Sequence, residues 1–449
     1  MGVGPAGPHL PGRLLTSWKG MQPMTQPRTP TGARLVEQMT DAERERAERV
    51  EAVLPRLREA AAAADAAAEF PSGHVALLRD AGLLGLVVPA EYGGLGGGLR
   101  DLAAATYAMG TACPSTALSY FFHNTSASRG LLPLEAIDAG LFEGDEVKPV
   151  RAFAEKVLNR MATGTWMANF ASEEVKSSSA NIAIATTASP AEGGWLLNGV
   201  KSFGCATGVA DTYLVTARLD GTTDADGLAL FLVPREAPGV VSREPWNGLG
   251  MRASNNHGVT LTDVFIPAEE ALTVPGAFVR MLRMSRGSFV GNQLAIAACY
   301  LGATQNAYDF AVERLTRRTF ADSGRPIASS PMHQVIIGDM TERLETAYLW
   351  IRRQLELETS EPPLLPKSDV YRQWRIAKGD ITEACFQVVM GAFKACGTSA
   401  ATMDGVIGRA MRDLAMGLVM TFPAERGRLE AAQVITEHKE NELFASVQR

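Results

Sequence analysis

The stretch MTFPAERGR, residues 420–428, contains a single carboxylate, Glu425, that could accept a proton as a general base. Pro423 stands two residues before it, and proline favours the first position of a helix. An acidic side chain in the first turn of a helix is stabilised by the macrodipole without any chemical role. Glu425 is therefore either a catalytic base or a first-turn acid, and both interpretations stay open.

The composition excludes several other classes of function. The net charge of −6 provides no broad basic surface, which argues against nucleic-acid binding. The five cysteines form no C-x-x-C pair, and this pattern favours reduced thiols in a cytoplasmic protein. No apolar run reaches the roughly 18 residues that suggest a membrane span, so none is expected. A chain of 449 residues is long enough to predict two or three domains.

Long helical patterns occupy both ends of the chain. Residues 1–34 are rich in Gly and Pro, contain no Asp or Glu, and are predicted to be a disordered tail. Residues 35–165 have the apolar spacing of helices and are predicted to form an N-terminal helical domain. After Pro275 the helical period returns in four long segments, which predicts that residues 276–449 form a four-helix bundle.

The middle of the chain, residues 166–275, has the pattern of strands. DTYLVTARL, GLALFLVP and HGVTLTDVFIP are short apolar runs that end in Pro or turn residues. Asn198-Gly199 lies between two apolar runs, the pattern typical of a two-residue hairpin turn. The predicted fold is therefore mainly α with a β insert, in which a middle antiparallel β domain separates an N-terminal helical domain from a C-terminal four-helix bundle.

Five segments follow one another in an order that resembles the acyl-CoA dehydrogenase superfamily. They are LLRDAGLLGLVVPAEYGGLGGG, WLLNGVKSFGCATGVADTYLVTAR, GLGMRASNNHGVTLTDVFIP, RRTFADSGRPI followed by MHQVIIGDM, and GRAMRD. The resemblance spans roughly residues 40–445. It implies an FAD bound between the β domain and the bundle, and a homodimer or homotetramer in which a neighbouring subunit completes the flavin site.

The resemblance also implies which residues of the β domain contact the flavin. Ser172 and Ser178 keep the hydroxyls that the family places near the ring and the pyrophosphate, and Phe170 precedes them. Phe203 keeps an aromatic wall beside the ring. Cys205 replaces a hydroxyl that donates to flavin N5 in the family, and a thiol is a weaker donor.

In the bundle, the resemblance implies a second group of cofactor-binding residues. Arg317 corresponds to an arginine that binds the pyrophosphate of the flavin in the adjoining subunit, and a guanidinium suits a diphosphate. Phe320 and Gln334 are expected to pack nearby. Lys394 and Gly397 lie in the segment that the family places on the adenosine side.

The carboxylate that serves as the base in the family has no counterpart at its usual positions. The usual position falls on Thr421 and the alternative position on Asn292, and neither side chain can serve as a base at neutral pH. Glu425, one helical turn beyond Thr421, is the remaining candidate. His123 is a further candidate to line the cavity, although a lone histidine more often has a structural role.

The resemblance implies FAD-dependent α,β-dehydrogenation of an acyl-CoA or acyl-carrier thioester, with an electron-transfer partner or oxygen as acceptor. Two alternatives stay open. The missing base and the change at Cys205 favour a flavin-dependent monooxygenase or oxidase of the same fold. The third possibility is a catalytically idle family member that acts as a binding or assembly subunit.

Overall fold

The computed structural model of the chain describes residues 29–171, 173, 184–285, 294–420 and 423–437. The predicted fold class is confirmed, because helices flank a middle sheet on both sides. The N-terminal helices are α1 (Asp41–Ala67), α2 (Gly73–Asp80), α3 (Leu99–Gly110), α4 (Pro114–Thr125), α5 (Ser128–Asp138) and α6 (Val147–Ala162). The described strands lie between Met167 and Leu272. The domain boundaries themselves stay predictions.

The last residues of the predicted disordered tail belong to the described part of the chain, and the boundary of the tail stays a prediction. Thr31–Arg34 form a short 3₁₀ helix, whereas residues 1–28 lie outside the described part of the chain. The helix packs closely on α3, since a Cβ on Gly32 would lie 3.1 Å from the Cβ of Ala104. Leu35, directly after it, is fully buried. These contacts order the chain earlier than the Gly and Pro content of the segment suggests.

Eight strands of the described residues form the middle sheet. They are β1 (Met167–Phe170), β2 (Thr187–Ala191), β3 (Gly194–Gly204), β4 (Thr212–Leu219), β5 (Leu228–Pro234), β6 (Val240–Ser242), β7 (His257–Pro267) and β8 (Ala271–Leu272). The strand order is β6-β7-β3-β2-β4-β5-β8, with β1 on β4. The pairs are antiparallel except β1 with β4 and β2 with β4. The mostly antiparallel character of the insert agrees with the sequence pattern.

The hairpin predicted at Asn198-Gly199 is wrong. Strand β3 continues through both residues, and the turn from β2 lies earlier, where Gly193 has a φ of +74°. At the predicted turn the ladder has a register irregularity between Leu197 and Gly199 instead. Asn198 bonds to Asp263 on β7 through both ends of its amide, with distances of 2.9 Å. Its side chain thus ties two strands together across the bulge.

The C-terminal helices form the bundle. After the short helix α7 (Ala277–Leu282), they are α8 (Leu294–Arg317), α9 (Pro331–Thr359), α10 (Lys367–Cys396), α11 (Val406–Val419) and α12 (Ala424–Glu437). Helix α10 packs against α8, α9, α11 and α12 and forms the centre of this region. The fourth predicted helix is therefore two helices, because Pro423 cannot continue the backbone hydrogen bonds of α11. No helix in the described ranges is long and apolar enough to cross a bilayer.

Candidate functional site

Strand β3 carries the predicted aromatic wall at its end. Phe203 is 40% exposed, so one part of its ring is free to contact a ligand. Cys205, two residues on, is buried, and burial raises the pKa of its thiol to about 12. Its Sγ lies 3.9 Å from Oδ1 of Asn256. The thiol is therefore protonated at neutral pH and donates to Asn256, and its contact with flavin N5 stays a prediction.

Phe170 lies in the core of the β domain, and its predicted contact with the flavin stays a prediction. Its side chain is fully buried and packs edge to face on Tyr213, with ring centroids 4.9 Å apart. A Cβ on Gly204 would lie 2.4 Å from the Phe170 ring, so the glycine makes room for it. The ring is thus part of the core beneath β3 and offers no surface to a ligand. Ser172 and Ser178 lie outside the described residues.

A second exposed aromatic residue, Trp246, lies beside Phe203. The two rings meet edge to face, with centroids 5.7 Å apart and planes at 78°. Trp246 is 37% exposed, which is unusual for so large an apolar side chain on a well-packed domain. Together the rings form an exposed aromatic corner on the surface of the β domain.

Strand β3 also carries buried polar groups immediately before Phe203 in the sequence. The Oγ of Ser202 is buried and has no hydrogen-bond partner among the described atoms. Behind it, the buried Lys201 ammonium donates to Oε1 of Glu173 over 2.5 Å. Thr186 donates to the same oxygen through Oγ1 over 2.6 Å. The Glu173 carboxylate, which lies between β1 and β2 in the sequence, is thereby held against Lys201 of β3.

These features fit a flavin, a flat ring with several polar edge atoms. The aromatic corner at Phe203 and Trp246 provides apolar surface for the ring, and the neighbouring residue Ser202 has a buried Oγ without a partner among the described atoms. When bound, a flavin would supply the hydride or oxygen chemistry that no side chain provides. The residues of this chain would bind and orient it.

The predicted cofactor residues of the bundle lie at one end of it. Arg317 ends α8, is largely exposed and pairs with Glu313 at 2.8 Å. Lys394 and Gly397 lie at the end of α10, where Gly397 has a φ of +67°. A hydrogen bond from Arg314 to Oγ of Ser399 joins the two helix ends. The structure thus brings Arg317, Lys394 and Gly397 to the same end of the bundle.

Phe320 lies in the connection between α8 and α9, and Gln334 lies at the start of α9. The backbone N–H of Phe320 donates to Arg325 across a tight turn, and its ring lies 6.3 Å from that of His333. Gln334, the next residue, is exposed in the first turns of α9. Exposure leaves Gln334 available to a ligand or a second subunit. Their assignment to the flavin site stays a prediction.

Glu425 lies in the first turn of α12, as Pro423 suggests. Its side chain is exposed and has no hydrogen bond or ion pair with the described residues. The helix start packs on the middle of α10, where a Cβ on Gly379 would lie 2.7 Å from that of Ala424. From Gly379 to Lys394 is about 22 Å along the helix axis. Glu425 is therefore far from the end of the bundle that carries Arg317 and Lys394.

His123 has a structural role instead of lining a cavity. The ring is fully buried, with Nε2 2.8 Å from the carbonyl of Leu84 and Nδ1 3.0 Å from the N–H of Met167. Nδ1 must accept from that N–H, so Nε2 carries the proton and donates. Burial lowers the pKa of His123 to about 4, and the ring is neutral at pH 7. It joins helix α4 to strand β1.

A buried cluster joins all three parts of the chain behind the aromatic corner. Arg412 on α11 pairs with Asp65 on α1 through both carboxylate oxygens. Asp413 accepts from the backbone N–H of Met251 over 2.6 Å. A Cβ on Gly250 would lie 2.1 Å from the carbonyl oxygen of Arg412, so the loop fits tightly against α11. Burial raises the pKa of Asp413 to about 6.

The sequence interpretation did not select Trp246, Asp413 or the Lys201–Glu173 pair. Trp246 stands in the loop PWNGLG, where no periodicity marks it as exposed. Pro245 and the two glycines that follow Trp246 are the only local sign of a constrained loop. Lys201 and Glu173 are far apart along the chain, so the contact between them depends on the fold. Thr421 and Asn292 lie outside the described residues.

Three family models match the chain in sequence order. The acyl-CoA dehydrogenase N-terminal domain matches residues 40–133, the middle domain residues 168–264, and the C-terminal domain residues 294–421. Together they span most of the chain. The matches follow the order of the helices, the sheet and the bundle.

Individual relatives carry different activities. The chain is 28% identical to the putative acyl-CoA dehydrogenase YdbM of Bacillus subtilis (strain 168), over 84% of this chain and 93% of that protein. It is 31% identical to the amino sugar nitrososynthase RubN8 of Streptomyces rubradiris, over 59% of this chain and 60% of that protein. The solved structure of KijD3 with FMN and dTDP-3-amino-2,3,6-trideoxy-4-keto-3-methyl-D-glucose has a TM-score of 0.75 and 27% identity, and covers 94% of this chain and 100% of that one.

Proposed function

This chain belongs to the acyl-CoA dehydrogenase superfamily, and on that premise we propose that it is a flavin-dependent monooxygenase or oxidase of that fold. The observation that carries the proposal is the residue pair at the two base positions of the family. Thr421 and Asn292 stand there, and neither can accept a proton at neutral pH. Oxygen chemistry on a reduced flavin needs no such carboxylate, whereas dehydrogenation of a thioester does.

The described geometry supports this proposal at two points. Glu425, one turn beyond Thr421 in the sequence, is exposed in the first turn of α12, and no contact with the described residues holds its carboxylate in one orientation. The Cys205 thiol, in place of the family hydroxyl, is buried and protonated, is only a weak donor, and has Oδ1 of Asn256 as its acceptor in the structure. Both changes weaken the arrangement that hydride transfer requires, and neither interferes with oxygen reduction.

The flavin is proposed to be FMN or FAD. Phe203 supplies apolar surface for its ring, and Arg317 and Lys394 supply positive charge for phosphate groups, the former in an adjoining subunit of a homodimer or homotetramer. The substrate is proposed to resemble the amino sugar for which RubN8 is named and the dTDP-linked amino sugar bound in the KijD3 structure. A cytoplasmic location is proposed because the five cysteines are all free thiols.

The proposal is tested by separating oxygen-dependent from oxygen-independent turnover. The purified protein is loaded with FMN or FAD, reduced with a flavin reductase and NADH, and mixed with oxygen and an amino-sugar nucleotide. Mass spectrometry is expected to show a product that has gained oxygen and that is absent without O₂. Anaerobic mixing of the oxidised protein with a panel of acyl-CoA thioesters is the matched experiment. Bleaching of the flavin by a thioester would overturn the proposal.

A second candidate is α,β-dehydrogenation of an acyl-CoA or acyl-carrier thioester, with electrons passed to an electron-transfer protein. Glu425 favours it, because the carboxylate has no ion pair among the described residues and stays available to a substrate. The 28% identity to a putative acyl-CoA dehydrogenase over 84% of the chain also favours it. Thioester-dependent bleaching that is lost in Glu425→Gln would establish this candidate.

A further inference from the structure

Trp246 exposes apolar surface on a loop that follows strand β6. The indole contacts Phe203, the proposed flavin wall, at a centroid distance of 5.7 Å. It remains 37% exposed despite this contact. A ligand that covers this exposed indole surface removes it from water, and this burial favours binding.

The loop holds the indole in a defined place. The backbone N–H of Trp246 donates to Nδ1 of His257 over 3.1 Å. Arg252 donates to Oδ1 of Asn247 over 3.1 Å and to the carbonyl of Gly248 over 3.3 Å. Gly248 itself must lack a side chain, because a Cβ there would lie 2.6 Å from the indole ring. These contacts fix the backbone on both sides of the exposed ring.

The ring planes of Phe203 and Trp246 are nearly perpendicular, at 78°. A flat ligand that lies against one of the two rings meets the other ring at its rim. Trp246 and Phe203 therefore limit the position of such a ligand in two directions. The indole Nε1–H has no acceptor among the described residues and is free to donate to a polar edge atom.

We infer that Trp246 is a second aromatic wall of the flavin site and contacts the isoalloxazine ring beside Phe203. This inference rests on the proposed function, because it takes the ligand of the corner to be a flavin. Aromatic contacts contribute roughly 0.5–1.5 kcal/mol beyond the area they bury. Trp246→Ala is therefore expected to weaken flavin binding up to roughly tenfold.

The contact is tested by the fluorescence of the bound flavin. An indole in van der Waals contact with an excited isoalloxazine ring donates an electron to it and quenches its emission, whereas a phenyl ring does not. FMN and FAD are titrated into the wild type, Trp246→Phe and a control, Trp195→Phe. Trp195 is the matched control, because it also lies in the sheet region and packs edge to face, on Phe231 at 6.2 Å.

Bound flavin is expected to be several-fold brighter in Trp246→Phe than in the wild type, and equally dark in Trp195→Phe. Flavin as dark in Trp246→Phe as in the wild type, with an affinity of Trp246→Ala within twofold of wild type, overturns the inference. In that outcome the proposed function stands, since the wild type still binds flavin. A wild type that binds neither FMN nor FAD overturns both.

Discussion

At the scale of single residues, the position where the family has its catalytic carboxylate is occupied by Thr421. Four residues later stands Glu425, a carboxylate without a partner among the described residues. Glu425 lies in the first turn of α12, where the helix dipole stabilises a negative charge whether or not it reacts. The stabilising position at the helix start is therefore enough to account for a glutamate here without a catalytic role. Its role in chemistry is decided by substitution, since the amide of glutamine keeps the shape and removes the base.

Glu425→Gln is expected to leave oxygen-dependent turnover within about twofold of wild type, because an exposed side chain without a partner orients nothing. Glu345→Gln, which removes an exposed carboxylate on α9, is the control. The rates are compared at saturating flavin and oxygen. A loss of roughly 100-fold or more in Glu425→Gln alone would assign the base to this residue and contradict the expectation.

Asp413 is expected to make stability depend on pH. Burial raises the pKa of Asp413 from its ordinary 3.8 to about 6 in the folded protein. Folding therefore favours the protonated carboxyl, and this contribution is complete below pH 3.8 and is lost as the pH rises through about 6. Asp65, Arg409 and Arg412 are the charged groups that act on it.

Asp413→Asn keeps an acceptor for the Met251 N–H and removes the ionisation. At pH 7.5 the variant is expected to be more stable than wild type by roughly 2–3 kcal/mol, a difference that shrinks toward zero near pH 4. Thermal unfolding at both pH values, with flavin at one saturating concentration, measures it. Asp145→Asn, at an exposed carboxylate, should show no such pH-dependent gain. A variant that loses stability at pH 7.5 would contradict the account.

At the scale of elements, the periods of the chain were sufficient to place most helices and strands. HGVTLTDVFIP became β7 from its first residue to its last, and GLALFLVP became β5 with its first Gly outside the strand. The hairpin prediction at Asn198-Gly199 failed because an Asn-Gly dipeptide occurs both in hairpin turns and in β-bulges. Which of the two forms depends on a partner strand, here on the Asp263 side chain, and a local pattern carries no information about that partner.

Glycine substitutions in β3 test whether the turn lies at Gly193, with a bulge at Gly199, or at Asn198-Gly199. Gly199 has a φ of +154°, and a Cβ there would lie 2.5 Å from Oγ1 of Thr186. Gly193 in the true turn has a φ of +74° with open space around it. Gly199→Ala is expected to cost several kcal/mol, and Gly193→Ala about 1 kcal/mol. Urea unfolding of both variants checks the order, and a larger loss at Gly193 would contradict the assignment of the turn.

At the scale of the whole molecule, the aromatic corner depends on contacts that no single domain contains. The loop that bears Trp246 continues into Met251, whose N–H bonds to Asp413 of the bundle, and Arg252, which bonds to the carbonyl of Asp65 in α1. The site could not be assembled from the sequence for this reason. Motifs predict Phe203 as a flavin contact, whereas the loop of Trp246 takes its position from contacts with distant segments of the chain.

The Asp65–Arg412 pair tests how strongly these segments are coupled. Both side chains are about 10% exposed or less, so removing one partner leaves a buried charge without compensation. Arg412→Met is expected to destabilise the protein by roughly 3–5 kcal/mol and to weaken flavin binding, since the loop of Trp246 rests on α11. Arg343→Met, which breaks the exposed Arg343–Asp339 pair, should cost at most about 1 kcal/mol.

The double variant Asp65→Leu with Arg412→Met distinguishes charge burial from lost packing. Two apolar side chains of similar volume remove the uncompensated charge, and the double variant is expected to recover most of the stability that Arg412→Met loses. Flavin affinity should recover with it if the pair acts by holding α1, α11 and the Trp246 loop in register. Restored stability with flavin binding still weak would mean instead that the guanidinium itself is needed to position the loop.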